Sequence, residues 1–353
     1  MLSPSENKRY NRHLILPVIG LKGQLKLKEA KILMVGAGGL GCPVLQYLTA
    51  AGVGNIGIVD NDIVDESNLQ RQILFTPGDI GKSKAVAAKD ILINQNPHIN
   101  IYAFNEFINV DNAISLISQF DIIIDGTDNF NSRYLINDAC IIADKPLVFG
   151  SIHQFEGQMS VFNYKNGPTY RCLYPEVPQL GNDCSQAGVI GVLPGIIGTL
   201  MANEAIKMIV EIGEIQSGKL FVINALDLQI QVLEFTRSSL AKVTQLGNYN
   251  HTCETAQVKE ITVAQLKVKI TSGEDFQLLD LREIYEQQNR LPKSESLSFG
   301  EIMQEYKKIK THVPVILFCK QGNRSKIAIM NLQEKFGFDN LHNLEGGADA
   351  WKE

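Results

Sequence analysis

Lys31-Ile32-Leu33-Met34-Val35-Gly36-Ala37-Gly38-Gly39-Leu40-Gly41 is the stretch that decides the fold. An apolar run of strand length passes into a glycine-rich turn, a helical pattern follows, and Ile56-Gly57-Ile58-Val59-Asp60 reads as the next strand. This order is a βαβ unit of the nucleotide-binding kind. Gly36 permits the tight turn, Gly38 lets a phosphate approach the backbone, and Gly41 lets the helix pack on the strand. Asp60 stands where a carboxylate accepts from a ribose hydroxyl. Alone, the pattern is a weak pointer to NAD or FAD.

The residues beyond Asp60 shift the reading. Asp62 follows, then Ser67-Asn68-Leu69-Gln70-Arg71-Gln72, then Gly81-Lys82-Ser83-Lys84, and, after the strand Asp121–Asp125, the turn Gly126-Thr127-Asp128-Asn129. A dinucleotide needs only two phosphate charges neutralised, which backbone and a helix dipole can supply. An added arginine, lysine and aspartate suit a triphosphate with Mg²⁺ and a pyrophosphate leaving group. Asp128, at a strand's carboxyl end, lies where ligands bind in an open α/β sheet. For single residues a plainer role stays open: Arg71 paired with a surface acid, or Asp128 capping a helix.

With the opening Arg9-Tyr10-Asn11-Arg12, these motifs make residues 1–235 resemble the MoeB/ThiF family of adenylating enzymes, relatives of the ubiquitin activators. The resemblance implies a Rossmann-like α/β domain with a mixed sheet. It assigns ATP binding to Gly39, Asp60, Asn68, Arg71 and Lys84, with Asp62, Ser67 and Asn129 beside them, and Mg²⁺ to Asp128. Arg12 would reach the site of a neighbouring subunit, which implies a homodimer. Asp183-Cys184-Ser185-Gln186-Ala187-Gly188-Val189 matches the segment that holds the family's second reactive cysteine.

Near the C-terminus, the apolar run Val313–Phe318 ends in Cys319-Lys320-Gln321-Gly322-Asn323-Arg324-Ser325 and a helical pattern. A cysteine in such a loop faces backbone N–H groups and a helix N-terminus, which stabilise a sulfur anion. Arg324 adds a nearby cation. The same geometry suits phosphate, so a phosphatase and a persulfide carrier both fit the loop. Leu278-Leu279-Asp280-Leu281-Arg282-Glu283 upstream and Asn343–Trp351 downstream complete a resemblance to a rhodanese domain over 258–353. This smaller α/β unit implies sulfurtransferase chemistry at Cys319.

Composition agrees with two domains. The 353 residues carry a formal charge of −5 and no basic block, so neither nucleic acid nor a membrane surface is suggested as partner. The N-terminus has no signal-peptide core, and the apolar run Val189–Ala202 is short for a membrane span and broken by glycine and proline. Six scattered cysteines favour a reducing cytoplasm. Residues 236–257 lose apolar periodicity and read as a mobile linker. Relatives of this kind often bind structural zinc through two Cys-x-x-Cys pairs. Here only Cys172, His251 and Cys253 remain, and three ligands do not complete a four-coordinate site.

The expected chemistry is adenylation of the C-terminal glycine of a small ubiquitin-like sulfur carrier ending in Gly-Gly, of the MoaD or ThiS type. Cys319, loaded as a persulfide by a donor such as a cysteine desulfurase, then converts the acyl-adenylate to a thiocarboxylate, with Cys184 as candidate resolving thiol. The competing expectation is a thioester on Cys184 for protein conjugation, with the rhodanese domain regulatory.

Overall fold

The computed structural model describes residues 1–175, 188–247, 249, 258–287 and 289–351. The chain divides into two compact units, Met1–His251 and Thr252–Glu353. Each has its own sheet and core.

In the first unit, β1 (Lys31–Val35), β2 (Asn55–Val59), β3 (Asn100–Phe104) and β4 (Ile122–Asp125) are joined through helices and lie parallel. β5 (Leu147–His153) is parallel to β4, while β6 (Glu156–Phe162), β7 (Lys219–Asn224) and β8 (Ile230–Glu234) continue antiparallel, giving the order β3-β2-β1-β4-β5-β6-β7-β8. The sheet is mixed, as expected. Residues 32–35 of β1 and 122–124 of β4 are buried and read as apolar runs, whereas β8 at the edge is exposed along its length.

Two helices fix the site end of this sheet. Helix Gly41–Ala51 starts against the end of β1 because a Cβ on Gly41 would fall 2.1 Å from the Gly36 carbonyl oxygen, and Gly36 itself takes φ +93°. Helix Leu193–Val210 packs against it and against β5 and β6. By length and composition alone that helix could cross a membrane. Its Leu193, Ile197, Met201, Ala202 and Ala205 side chains instead belong to the main core.

The expected linker is packed further than its sequence suggests. Ala241 is buried, and the Tyr249 hydroxyl donates to Asp138 Oδ2 at 2.7 Å, where Arg171 also makes its two bonds to the Asp138 carboxylate. A few apolar and aromatic residues bind this stretch to the first unit without any periodic pattern. The linker residues 248 and 250–257 lie outside the described residues.

The second unit holds β9 (Lys259–Ile261), β10 (Gln277–Asp280), β11 (Ser294–Ser296), β12 (Val315–Phe318) and β13 (Leu341–Leu344), all parallel, in the order β11-β10-β12-β13-β9. β10 and β12 are fully buried. Cys319 follows β12 directly, and helix Asn323–Phe336 begins four residues later.

Candidate active sites

A cavity of about 650 Å³ opens at the carboxyl ends of the parallel strands in the first unit. Gly36, Gly38, Gly39, Asp60, Asp62, Ser67, Asn68, Arg71, Lys84, Asp128 and Asn129 all line it. Loops separated by some ninety residues therefore converge where an open parallel sheet places its ligands.

Asp60 directly follows β2 and turns toward the glycine loop. Its Oδ2 accepts from the Ala37 N–H at 2.7 Å and its Oδ1 from the Asp62 N–H at 2.8 Å. Burial pushes the Asp60 carboxyl up, while the Ala37 N–H and the charge of Lys84 pull it back. Lys84 opens helix Lys84–Gln95 and is buried, with Nζ 2.9 Å from Asp62 Oδ2. Arg71 donates from a guanidinium nitrogen to the Ser67 carbonyl at 3.1 Å, and its stem lies against Gly39. That bond is to backbone, so its charge meets no acid there.

Asp128 is exposed at the cavity wall, and Asn129 rather than Asp128 caps the following helix, its side chain accepting from the Ser132 N–H at 2.9 Å. A capping role does not account for Asp128. Gly38 leaves open space where a Cβ would stand, the nearest atom being Gln72 Nε2 at 3.7 Å. The cradle thus fits a phosphate, and the donor set of Arg71, Lys84 and loop N–H groups fits its charge.

Arg12 is absent from this lining. It is exposed on the short helix Asn11–Leu14, whereas its neighbour Tyr10 is buried, packs over Gly52 and accepts a hydrogen bond from Asn96 Nδ2 at 2.9 Å. The opening motif therefore splits into a structural anchor and an outward-facing cation. Cys184 lies outside the described residues.

Several lining residues have no counterpart in the sequence reading. Arg133 is buried one turn into helix Phe130–Ile142, donates to the Thr127 carbonyl at 3.2 Å, and lies over the Phe130 and Phe149 rings. Beneath it, burial pushes the Asp125 carboxyl up, opposed by Arg133 and by the Thr127 hydroxyl and N–H, which donate at 2.7 and 2.8 Å. Gln72 is buried at the floor, and Phe107 reaches the rim from the loop after β3. Gln72 stood beside Arg71 in the quoted run, and Arg133 four residues after Asn129, but no spacing distinguishes them.

In the second unit, Cys319 is 2 % exposed and its Sγ accepts from the Gly322 N–H at 3.2 Å, with the Ser325 hydroxyl at 3.6 Å. Gly347 lets the downstream segment close on the loop: a Cβ there would meet the Cys319 carbonyl oxygen at 2.4 Å. The Ala348 and Asp349 N–H groups donate to the Cys319 and Lys320 carbonyls at 2.8 and 2.9 Å. Asp280 and Arg282 form a buried bidentate pair that supports β10 beside it.

Arg324 makes two bonds to the Glu286 carboxylate, at 2.6 and 2.8 Å, and its charge stays within electrostatic reach of Cys319. The Gly322 N–H and the Ser325 hydroxyl stand at the Cys319 sulfur itself.

Among the described residues, no group of three or more His, Cys, Asp or Glu side chains is placed to hold a metal. Cys172 Sγ instead accepts from the Thr169 and Ser238 N–H groups, each at 3.4 Å. Burial opposes its ionisation, but the Thr169 hydroxyl and these N–H groups outweigh it and lower the thiol's pKa. His251 and Cys253 lie outside the described residues.

The fold and pocket define a Rossmann-like nucleotide-binding unit joined to a unit with a cysteine at a strand end. The ThiF family model matches residues 10–243 and the rhodanese-like domain model residues 262–353. The chain belongs to the ThiF family and carries a C-terminal rhodanese-like domain. A Mycobacterium tuberculosis relative named "Probable adenylyltransferase/sulfurtransferase MoeZ" is 41% identical over 99% of this chain and 94% of its own length. A "Probable molybdopterin-synthase adenylyltransferase" of Porphyra purpurea is 42% identical over 99% of this chain and 94% of its own. The crystal structure of E. coli MccB with ATP is 25% identical, with a TM-score of 0.57 over 63% of this chain and 69% of that one.

Proposed function

We propose that the first unit adenylates the C-terminal glycine of a small ubiquitin-like sulfur-carrier protein ending in Gly-Gly, and that the second unit delivers sulfur from a Cys319 persulfide to give a thiocarboxylate. The observation that carries this reading is the convergence of Arg71, Lys84 and Asp128 on the open space above Gly38. The combined adenylyltransferase and sulfurtransferase name of the M. tuberculosis relative supports the pairing of activities.

A carrier carboxylate oxygen attacks the α-phosphorus of ATP and pyrophosphate leaves. Arg71, Lys84 and the glycine-loop N–H groups hold the phosphates and take up the charge that moves onto pyrophosphate. Asp128 is the residue that would hold Mg²⁺, which supplies further charge neutralisation at the phosphates. The terminal sulfur of the Cys319 persulfide then attacks the acyl carbon and AMP departs, leaving an acyl disulfide on Cys319. A second thiol attacks Cys319 Sγ, forms a disulfide with it, and releases the thiocarboxylate. Cys184 is our candidate for that thiol, and a cysteine desulfurase for the persulfide donor.

Arg12, exposed on its own chain, serves the pocket of a second copy in a homodimer. The four free cysteines among the described residues, Cys42, Cys140, Cys172 and Cys319, suit a reducing cytoplasm. Carrier-dependent ATP–pyrophosphate exchange tests the first half of the reading. Asp128→Ala should lose exchange by ~10²-fold or more while thiosulfate:cyanide sulfur transfer stays near wild type. Loss of both activities in folded protein would contradict two separable sites.

A further inference from the structure

We propose that Gln72 is a catalytic residue of the adenylation step, its carboxamide N–H donating to a phosphate oxygen of the nucleotide above Gly38. The proposal rests on the adenylation reading and adds a neutral donor to its cationic ones.

Gln72 is 3 % exposed, and its carbonyl Oε1 is enclosed with no hydrogen-bond partner. Gln72 lines the cavity, with Nε2 3.7 Å from the point where a Cβ on Gly38 would stand. Its position is set by backbone: its N–H donates to the Asn68 carbonyl at 2.9 Å and its C=O accepts from Phe75 at 3.1 Å.

A buried amide with an unpartnered carbonyl is costly for folding, and a methionine of similar size would fill the space without that cost. Packing therefore does not explain the carboxamide. The neighbours do. Asp60 is occupied by the Ala37 and Asp62 N–H groups, and Lys84 by Asp62, so both sit in closed pairs in this structure. The Gln72 amino group instead faces the open space that Gly38 keeps free. Its direction suits an anion, since the same space lies beside a helix N-terminus and a cationic wall. A fixed dipole in a buried site needs no reorganisation when charge moves toward pyrophosphate.

The test uses the full chain with ATP, Mg²⁺ and a Gly-Gly-ending carrier. Gln72→Met should fold, with an apo Tm equal to or a few degrees above wild type, because the orphan carbonyl is gone. Its exchange kcat should fall by ~10²-fold with KM for ATP changed less than about threefold. Gln72→Glu, which keeps the shape but offers no N–H, should lose kcat at least as far, and serves if the methionine variant does not fold. Exchange by either folded variant at the wild-type kcat would overturn the role of Gln72 while leaving adenylation standing. A defect confined to KM would overturn it as well. No exchange by the wild-type protein with any such carrier would overturn the adenylation reading and this proposal with it.

Discussion

The Lys84 ammonium, its side chain 7 % exposed, lies 2.9 Å from a carboxylate oxygen of Asp62, whose side chain is 62 % exposed. A buried cation is tied to a partner that solvent can claim. Nucleotide phosphates can replace that partner at little cost, because an exposed carboxylate keeps its hydration when released.

Lys84→Met should therefore reduce carrier-dependent exchange by ~10²-fold or more, whereas Asp62→Asn should retain at least about a tenth of wild-type activity. The Asp60 carboxylate, also within electrostatic reach of Lys84, continues to balance its charge in the second variant. Radiolabelled pyrophosphate exchange distinguishes the two. Equal losses would mean that the ion pair, rather than the free lysine, is what the reaction needs.

Arg12 and Asp128 should complement across subunits. Each single alanine variant should be nearly inactive, yet a mixture that exchanges subunits should recover up to about a quarter of wild-type exchange, the share of sites drawing both intact residues. A fully active monomer by sedimentation would sink the shared-site idea.

Acid should loosen the turn that delivers Lys84. The Asp79 carboxylate accepts from Lys82 Nζ at 2.9 Å and from the Thr76 hydroxyl and N–H at 2.8 and 3.0 Å, and these bonds, Lys82 first, lower its pKa to about 2. A depressed carboxylate adds stability that is complete above its unfolded pKa near 3.8 and is lost as pH falls toward about 2. Wild-type Tm should drop more steeply between those values than that of Asp79→Asn, which has no such proton to take up. Parallel curves would remove Asp79 from the acid response.

Much of this molecule was legible before its structure. The strands flanking the glycine loop are apolar runs bounded by turn residues, and Gly36 and Gly41 stand where a side chain would strike backbone, so their pattern carries its own geometry. The mixed sheet followed from the family resemblance rather than from periodicity. Gln72 and Arg133 were not legible as site residues, because burial against loops distant in sequence gives them their place. The engaged state of Arg324 was hidden for the same reason: Glu286 lies thirty-eight positions away. Tyr249 escaped notice because one aromatic among polar residues has no period, although its hydroxyl fixes the chain to Asp138.

Cys319 carries the sulfur in the proposed reaction. The most direct measurement is the mass of the carrier's C-terminal peptide after incubation with the full chain, ATP, Mg²⁺, a persulfide donor and a reducing thiol. The wild-type protein should give a gain of about sixteen mass units, one oxygen replaced by sulfur, and Cys319→Ala should give acyl-adenylate without that gain. Thiocarboxylate formed at the wild-type rate by Cys319→Ala, with all product lost in Cys184→Ala, would contradict this role of Cys319 and assign the carrier's activation to a thioester on Cys184.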